Sequence, residues 1–337
     1  PFLQDLVTDI DRDSSTVTTE SGRTLPYDAC LVAAGSMRTT FGVEGADEHA
    51  LGFRSVDDAE RIAARLDKLA TRKRRASVVI VGGGVSGVEV VGEILRRRGE
   101  GDEYNIHIVE VESDILEQQL DGLACDAAQR FASHPVTVHT SAVVEEVTAR
   151  SVLLEGGEKL TADLCIWSAG MALPGFLHDA GLKGVHDQWL PVDETLKSDY
   201  ADNIFVAGDC AALPAPIRKQ AYYAMDMGEV AGDNISRLLE GRRLQPFHAK
   251  PMPMLISFGD ITTWLVVGEA AVASPLLAAA KEGVYQATMA RLASPHEPLK
   301  YSADIVSRAV MATRQLLLPQ LTPRKIFQGL TGSRVIF

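Results

Sequence analysis

The sequence predicts an α/β protein with buried parallel strands, and three observations support this fold class. A strand-like phrase, "LPYDACLVAAG" at 25–35, recurs as "LTADLCIWSAG" at 160–170. A glycine-rich loop at 82–87 follows an apolar run and precedes a helical pattern. A further apolar run, "NIFVAGDCA" at 203–211, is interrupted by a glycine–aspartate pair. Strands that are apolar on both faces are typical of parallel sheets covered on both sides.

The repeat extends beyond the quoted phrase. At a constant offset of 135 residues, eight residues recur in register: Val17, Glu20, Gly22, Leu25, Asp28, Cys30, Ala34 and Gly35 match Val152, Glu155, Gly157, Leu160, Asp163, Cys165, Ala169 and Gly170. Eight matches without an insertion indicate a duplicated unit. Each copy predicts two short strands around a glycine turn, followed by a buried strand that ends at a glycine.

The glycine-rich loop predicts a dinucleotide site. Gly82, Gly84 and Gly87 form G-x-G-x-x-G between a strand at 78–81 and a helix, and Glu110 ends the next strand 23 residues after Gly87. The first glycine allows a tight turn, the second lets the backbone approach a pyrophosphate, and the third lets helix and strand pack closely. The helix N-terminus offers N–H donors to the anion. The alternative is a purely structural turn.

Glu110 bears on which nucleotide binds. A carboxylate there accepts hydrogen bonds from the adenine ribose and repels a 2′-phosphate, which favours NAD(H) over NADP(H). An exposed acid at a strand end is the alternative for Glu110, and the arginines at 96–98 keep NADP open.

The repeat also predicts a segment upstream of residue 1. The glycine loop begins 78 residues before Leu160, and the same interval counted back from Leu25 falls before Pro1. We therefore expect the intact protein to contain an upstream βαβ unit with its own dinucleotide fingerprint. Two such units imply two dinucleotides.

Composition narrows the class of protein. The 337 residues suit two or three domains, and the net charge of −12 argues against a nucleic-acid partner. The four cysteines form no C-x-x-C pair, so we expect no metal site and a reducing, cytoplasmic location. No apolar run reaches the roughly 18 residues of a membrane-spanning helix.

Other patterns predict the remaining elements. Residues 1–35 are expected to be β-rich and 36–54 to form a loop. Ser55 begins a capping box and a helix whose apolar stripe ends in the basic run "TRKRR", interpreted as a solvated helix end. A long helix that closes at Gly241 is predicted from residues at helical spacing: Ala221, Met225, Gly228, Ile235 and Leu238. A hairpin is predicted at 259–260.

In this order, "AAGS", "VVIVGGGVSGVEVVGEI", "WSAGM" and "NIFVAGDCA" resemble the pyridine nucleotide–disulfide oxidoreductase superfamily of flavoproteins. "FGVEGADEHALGFRSVDDAERI" is most similar to the type II NADH dehydrogenases, which are NADH:quinone oxidoreductases. The resemblance covers residues 5 to about 245 and the C-terminal region loosely. It implies two Rossmann-like FAD/NAD(P)-binding domains, the FAD domain lacking its N-terminal βαβ unit in this chain, and a small C-terminal α+β region. It also implies FAD and NAD(H), with hydride transfer from nicotinamide to flavin.

The resemblance assigns site residues by position. It implies that NAD(H) contacts Gly82, Gly83, Gly84, Val85, Ser86, Gly87, Glu89, Glu110, Ala169, Gly170 and Met171. It implies that FAD contacts Ala34, Gly35, Gly208, Asp209, Lys219, Gln220 and Ala221. Glu89, beside the nicotinamide amide, and Lys219, beside the flavin pyrimidine edge, are the two candidates for catalytic roles. The alternatives are an acid in a helix's first turn for Glu89 and a surface lysine for Lys219.

One departure concerns the electron acceptor. Quinone-reducing members carry Ala-Gln-x-x-x-Gln at this helix start, whereas this chain has Ala221, Tyr222 and Asp226. The missing amides put quinone in doubt as the acceptor without affecting the flavin chemistry. The pair Tyr222–Tyr223 is expected to cover the flavin, to line an acceptor pocket or simply to belong to the core.

The predicted domains are the remaining part of the FAD domain (1–54), the NAD(H) domain (55–188), the second part of the FAD domain (189–246) and a C-terminal region (247–337). From residue 301 the charges sum to +4, so this region is expected to contact the inner face of an anionic membrane, to form a homodimer face or to cover the sheet.

The predicted function is that of an FAD-dependent NADH dehydrogenase with a small-molecule acceptor. One alternative is an FAD-dependent disulfide reductase whose cysteine pair lies upstream. The other is a non-enzymatic, NAD-binding redox sensor.

Overall fold

The computed structural model describes residues 2–72, 74–97, 104–117, 119–278, 281, 283–285, 289 and 333–336. The chain packs into two compact units. Unit 1 comprises residues 1–39 and 171–250, and unit 2 comprises residues 40–170 and 251–337. The basic stretch from residue 301 lies outside the described residues, apart from 333–336.

The strands in chain order are β1 (Val7–Asp11), β2 (Thr16–Thr19), β3 (Thr24–Pro26), β4 (Cys30–Val32), β5 (Met37–Arg38), β6 (Ala50–Gly52), β7 (Ala76–Val81), β8 (Tyr104–Val109), β9 (Val136–His139), β10 (Val144–Val147), β11 (Ser151–Leu154), β12 (Lys159–Thr161), β13 (Leu164–Trp167), β14 (Met171–Ala172), β15 (Leu190–Pro191), β16 (Ile204–Val206), β17 (Ala211–Ala212), β18 (Met254–Phe258), β19 (Thr262–Val267), β20 (Ala270–Ser274) and β21 (Arg334–Ile336). The α-helices whose full bounds lie within the described residues are α1 (Ala46–His49), α2 (Val56–Ala70), α3 (Val85–Arg97), α4 (Asp121–Phe131) and α5 (Ala221–Leu239). In the same described residues, short 3₁₀ turns cover Gly175–Leu177 and Gly208–Cys210.

Unit 2 is built on a five-stranded parallel sheet with the order β6-β13-β7-β8-β9. All four residues of β13 are buried, and β7 is buried along nearly its whole length. Apolar residues of α2, α3 and α4 form one core with this sheet. The predicted α/β class, with a parallel sheet covered by helices, is therefore confirmed.

The prediction of a loop over 36–54 is wrong at Ala50–Gly52. These residues form β6, which pairs in parallel with β13 at the edge of the sheet. Three residues are too short to show a strand period, so the pairing with β13 decides their conformation rather than any local pattern. Within the same stretch the structure also has β5 and α1.

Helix α2 begins as predicted, at a capping box. The Ser55 hydroxyl accepts the Asp58 N–H at 3.0 Å, and the Asp58 carboxylate accepts the Ser55 N–H at 3.1 Å. The described residues of its basic end are exposed, as predicted, and Arg72 and Arg74 in addition each lie 2.6 Å from a carboxylate oxygen of Asp163. The Asp163 side chain is only 9% exposed and also accepts the Ser77 N–H.

The two copies of the sequence repeat have matching structures. Each contains a three-stranded antiparallel sheet, β1-β2-β3 in unit 1 and β10-β11-β12 in unit 2. Val17 pairs with Leu25 in the first copy, and Val152 pairs with Leu160 in the second. A parallel strand follows in both copies: β13 lies between two partners, whereas β4 pairs with β16 in a two-stranded sheet of the described residues. The duplication read from the sequence is therefore also a structural one.

The predicted hairpin at 259–260 is confirmed and packs on α3. Strands β18 to β21 form a four-stranded antiparallel sheet. A Cβ added at Gly92 of α3 would overlap the backbone N of Gly259, so the helix and the hairpin touch through glycine backbone. The Trp264 indole N–H donates to Asp126 of α4 at 2.8 Å, which ties this sheet to a second helix. No membrane-crossing helix occurs in the part of the chain that the structure describes.

In unit 1, helix α5 forms where predicted, and Ile235 and Leu238 of the predicted set are partly buried against the core. Met227, Ala231 and Asn234 are its buried residues. The Asn234 amide donates to the carbonyls of Thr195 (2.9 Å) and Gln245 (2.8 Å), and its oxygen accepts the Gln245 N–H. A buried asparagine with all these partners is stable in a core, yet its polarity hides it from a hydrophobic pattern.

The units divide the chain at 39/40, 170/171 and 250/251, whereas the predicted domain boundaries fall at 54/55, 188/189 and 246/247. Each difference has a packing reason. Strand β6 belongs to the sheet of unit 2, and β14 pairs with β5 within unit 1. The sheet β18–β21 packs on α3 and so belongs to unit 2.

The ion pair of Asp163 predicts a pH-dependent contribution to stability. Burial raises the pKa of Asp163, but hydrogen bonds from Arg74, Arg72 and the Ser77 N–H, with the charge of Arg74, outweigh it and hold the pKa below its ordinary 3.8. A lowered pKa contributes stability that is fully present above pH 3.8 and is lost as pH falls through the folded-state pKa. At pH 7, Asp163→Asn should lower the free energy of unfolding by about 1.5–3 kcal/mol.

Urea unfolding from pH 7 down to pH 3 measures this. Asp67→Asn is the matched control, because the Asp67–Arg97 pair is exposed and should contribute about 0.2–1 kcal/mol. Equal losses in the two variants at pH 7, or an Asp163→Asn deficit that does not shrink below pH 4, would contradict this account.

Candidate functional site

The glycine loop lies at the carboxyl end of β7, where the chain turns into α3. The Gly82 N–H donates to the Val109 carbonyl at 2.8 Å, and Gly82 has a φ of +104°. A Cβ on Gly82 would lie 2.8 Å from the Ala169 N, and one on Gly87 would overlap the Gly82 carbonyl oxygen. The fold itself therefore requires glycine at the first and third positions of the motif.

The second glycine of the motif differs from the other two. A Cβ on Gly84 would meet nothing within 4 Å. Since the fold does not require glycine here, the open face is available for close approach by a ligand. The first N–H groups of α3 have no partner within the helix and carry the positive end of its dipole. This cradle fits a pyrophosphate.

Glu110 reaches this loop. Its carboxylate accepts the Gly83 N–H at 2.5 Å and the Glu112 N–H at 3.1 Å. The Glu110 backbone N–H donates to the His139 carbonyl, so the pairing of β8 with β9 fixes its position. Burial and the charge of Glu112 raise the pKa of Glu117 nearby. Two further acids therefore surround the carboxylate that is predicted to bind the ribose.

Glu89 has partners from the C-terminal part of unit 2. Its carboxylate accepts the Ser257 N–H of β18 at 2.9 Å and pairs with the Lys281 ammonium. The first turn of α3 contains no acid, so the alternative of a first-turn acid is wrong. With a side chain that is 24% exposed, Glu89 is held against the sheet rather than solvated.

Ala169, Gly170 and Met171, which are predicted to contact NAD(H), divide between the two units. Ala169 lies in unit 2 beside Gly82, and the Ser168 hydroxyl before it donates to the Val81 and Gly82 carbonyls at 2.9 and 3.1 Å. Gly170 has a φ of +73°. Met171 begins β14 of unit 1 and pairs there with Arg38. Ser168 lies in the motif "WSAGM" but was not predicted as a site residue, although its hydroxyl holds the start of the glycine loop.

In unit 1, four of the seven residues predicted to contact FAD line one cavity of about 240 Å³, and Ala34, Gly35 and Ala221 are not among its lining residues. Gly208, Asp209, Lys219 and Gln220 line it. The Asp209 carboxylate accepts the Ser36 hydroxyl at 3.0 Å, and Ser36 directly follows Ala34 and Gly35, which end the first repeat. Gln220 is the N-cap of α5 and Ala221 its first residue, so the N-terminus of this helix borders the cavity.

Lys219 is half-buried, so the alternative of an ordinary surface lysine is wrong. Its ammonium donates to the carbonyls of Asp209 and Ala211, the latter at 3.2 Å, and lies 3.9 Å from the ring centre of Trp189. Burial lowers the pKa of Lys219, while the charge of Asp209 acts in the opposite direction. Trp189 also lines the cavity and was not predicted, since one aromatic residue before a short strand carries no signal.

Of the tyrosine pair at the start of α5, Tyr223 lines the cavity and Tyr222 is not among the lining residues. Ala224 and Met227 of the same helix line the cavity together with Tyr223.

Within the described ranges, no group of three or more His, Cys, Asp or Glu side chains could hold a metal ion. None of the cysteines Cys30, Cys125, Cys165 and Cys210 forms a disulfide bond.

The three glycines of the loop should respond differently to alanine. Gly84→Ala should leave the free energy of unfolding within about 0.5 kcal/mol of wild type, because its Cβ has open space. It should still weaken NADH binding at least tenfold, because the Cβ occupies the face that a pyrophosphate approaches. Gly87→Ala should destabilise the fold by about 1–3 kcal/mol through overpacking.

Calorimetric titration with NADH and urea unfolding measure both variants. Unchanged NADH affinity in Gly84→Ala would show that the loop does not carry the dinucleotide. A stability loss in Gly84→Ala equal to that in Gly87→Ala would refute the distinction between the two positions.

Comparison with known proteins agrees with this architecture. A type II NADH:quinone oxidoreductase of Staphylococcus aureus is 29% identical over 283 residues, which cover 77% of this chain and 70% of that protein. The structure of NDH2 from Plasmodium falciparum in complex with NADH matches with a TM-score of 0.78 and 17% identity, over 93% of this chain and 84% of that one. The sulfide:quinone oxidoreductase of Aquifex aeolicus matches with a TM-score of 0.67 and 16% identity, over 80% and 67% of the two chains.

The two structural matches support the predicted fold of two nucleotide-binding domains. The sequence model of the pyridine nucleotide-disulphide oxidoreductase family matches residues 2–228. The chain therefore belongs to the pyridine nucleotide-disulphide oxidoreductases, which confirms the predicted enzyme class and its cofactor pair, FAD and NAD(H).

Proposed function

We propose that the protein is an FAD-dependent NADH dehydrogenase that passes electrons to a quinone. The cofactors supply the redox chemistry, which is hydride transfer from the nicotinamide to the flavin. The observation that carries the proposal is the open Gly84 face at the start of α3, with the Glu110 carboxylate beside it. Because the fold does not require glycine at position 84, we attribute this glycine to a ligand that must approach the backbone closely.

The proposed NADH site uses the start of α3 and the end of β8. Backbone N–H groups of Gly84, Val85 and Ser86 bind the pyrophosphate. Glu110 accepts the ribose hydroxyls, and its charge, with those of Glu112 and Glu117, disfavours a 2′-phosphate. Glu89, held by Ser257 and Lys281, is proposed to orient the nicotinamide amide.

The proposed flavin site uses the cavity of unit 1. Asp209 accepts a ribityl hydroxyl, and Lys219 and the N-terminus of α5 stabilise negative charge at the pyrimidine edge. The ends of the first repeat, Ala34 and Gly35, border Ser36 and through it Asp209. We propose that the upstream βαβ unit predicted by the repeat supplies the diphosphate cradle.

The acceptor is proposed from the relatives. The Staphylococcus aureus protein is a NADH:quinone oxidoreductase, which supports quinone as the acceptor. Tyr223 on the cavity wall offers an aromatic face to a quinone ring, although α5 lacks the amides of the family pattern. We also propose that the basic, partly apolar C-terminal stretch contacts the inner face of the membrane or a second copy of the chain.

Anaerobic addition of NADH to the full-length protein loaded with FAD tests the proposal. One equivalent of NADH should bleach the visible flavin absorbance, and a short-chain quinone should restore it. With excess NADH and quinone the cycle should repeat many times. Restoration by a low-molecular-weight disulfide but not by quinone would favour the disulfide reductase. NADH binding without turnover, even with ferricyanide, would favour a redox sensor.

Glu110 should determine the choice of nucleotide. Glu110→Ala removes charge-assisted hydrogen bonds worth about 1.5–3 kcal/mol and also the repulsion of a 2′-phosphate. We therefore expect kcat/KM for NADH to fall about 10- to 100-fold and the NADPH/NADH ratio to rise at least tenfold.

Glu112→Ala is the matched control, because it removes the same charge two residues away without removing the bond to Gly83. It should change the ratio by much less. The same NADPH/NADH ratio in both variants would mean that general charge, not the Glu110 contact, sets the preference.

A further inference from the structure

We propose that Trp189 is a positioning residue that fixes the Lys219 ammonium at the wall of the unit 1 cavity and thereby favours the reduced flavin. The inference rests on the proposed function, in which this cavity holds the flavin ring. Trp189 makes no contact with a reacting atom in this account. It acts through Lys219.

Three uncharged groups surround the ammonium. Two are the backbone carbonyls of Asp209 and Ala211, and the third is the Trp189 ring, whose centre lies 3.9 Å from Nζ. Tryptophan is the aromatic side chain that attracts a cation most strongly, and the attraction grows as the cation is desolvated. The half-buried position of Lys219 meets that condition, so the indole contributes to keeping the amine charged where water is scarce.

Strand pairing brings the backbone of Trp189 close to that of Ala211, whose carbonyl is one of the two acceptors. Trp189 directly precedes β15, whose Leu190 pairs in parallel with Ala211 of β17. The Ala211 carbonyl is itself an acceptor of the ammonium. The two-stranded sheet β15–β17 therefore carries two of the three groups that hold Lys219, and Leu190, fully buried, anchors it in the unit 1 core.

A lysine side chain has a flexible four-carbon stem, so its charge acts on a ligand only if the stem is held. Without the indole, only the two carbonyls hold the ammonium, so the stem of Lys219 turns more readily toward solvent, where the charge is screened. Among the described residues, Asp209, Cys210, Arg218 and Tyr223 are the other titratable groups that act on the ammonium or line the cavity. A fixed ammonium at the cavity wall attracts the extra negative charge of a reduced flavin ring more than it attracts the oxidised ring.

Tryptophan emission of the flavin-free full-length protein tests the pairing itself. Trp167 and Trp264 are 2% and 0% exposed, so Trp189 is the indole most open to a change in its neighbour. An alkaline titration should show a transition below pH 10.5, the ordinary lysine pKa, that is absent in Lys219→Met and in Trp189→Phe. A transition that persists unchanged in Lys219→Met would overturn the pairing.

The midpoint potential of the FAD-loaded protein tests the consequence. Lys219→Met and Trp189→Leu should each lower the preference for the reduced flavin about tenfold, which is about 30 mV for two electrons. Trp189→Phe retains a π face and should lose much less. In the double variant Trp189→Leu/Lys219→Met the loss should equal that of Lys219→Met alone, because the indole acts only through the ammonium.

Additive losses in the double variant, or an unchanged potential in Trp189→Leu, would overturn the inference and leave the proposed function intact. If Trp189→Leu does not fold, Trp189→Phe with and without Lys219→Met gives the same cycle with a smaller expected shift. Failure of the wild-type protein to bind FAD would instead overturn the proposed function and this inference together. The emission titration would then still report whether the Trp189–Lys219 pair exists.

Discussion

The close approach of α3 to the carboxyl end of β7 is the contact on which the site depends. A Cβ on Gly87 would overlap the Gly82 carbonyl oxygen, and one on Gly82 would press on Ala169. Without these side chains the helix begins almost directly at the end of the strand, so its free N–H groups lie at the edge where parallel sheets bind ligands. On its opposite side, α3 touches the β18–β19 hairpin through Gly92 and Gly259, which holds the helix from both sides.

The two units share a repeated architecture but differ in charge. In unit 2 the glycine loop is bordered by Glu110, with Glu112 and Glu117 nearby. In unit 1 the cavity is bordered by the Lys219 ammonium and the N-terminus of α5. An acidic surround suits a dinucleotide without a 2′-phosphate, and a cationic wall suits a ring that gains electrons. The proposed roles of electron donor site and electron acceptor site therefore match the electrostatics of each unit.

Local patterns predicted a large part of the fold. The capping box at Ser55, the glycine loop at 82–87 and the hairpin at 259–260 depend on residues close together in sequence, and each forms as expected. The repeat predicted the paired sheets because both copies keep Val and Leu at the same register. The glycine loop also predicted the dinucleotide cofactor, since phosphate binding requires glycines and a helix N-terminus within a few residues of each other.

Contacts between distant residues account for what the sequence did not predict. Strand β6 exists because β13 offers it a partner more than a hundred residues away. Asn234 is buried because Thr195 and Gln245 satisfy its amide, and no apolar period marks it. Trp189 contacts Lys219, which lies 30 residues later in the chain, because the pairing of β15 with β17 brings the two segments together. In each case the partner, rather than the local sequence, decides the environment.

Hydrogen–deuterium exchange of the full-length protein with and without NADH tests the central claim most directly. The account predicts that NADH slows exchange of the backbone amides of residues 84–86, because those N–H groups bind the pyrophosphate. Slowed exchange confined to other segments, with the amides of 84–86 unaffected while NADH is bound, would contradict it.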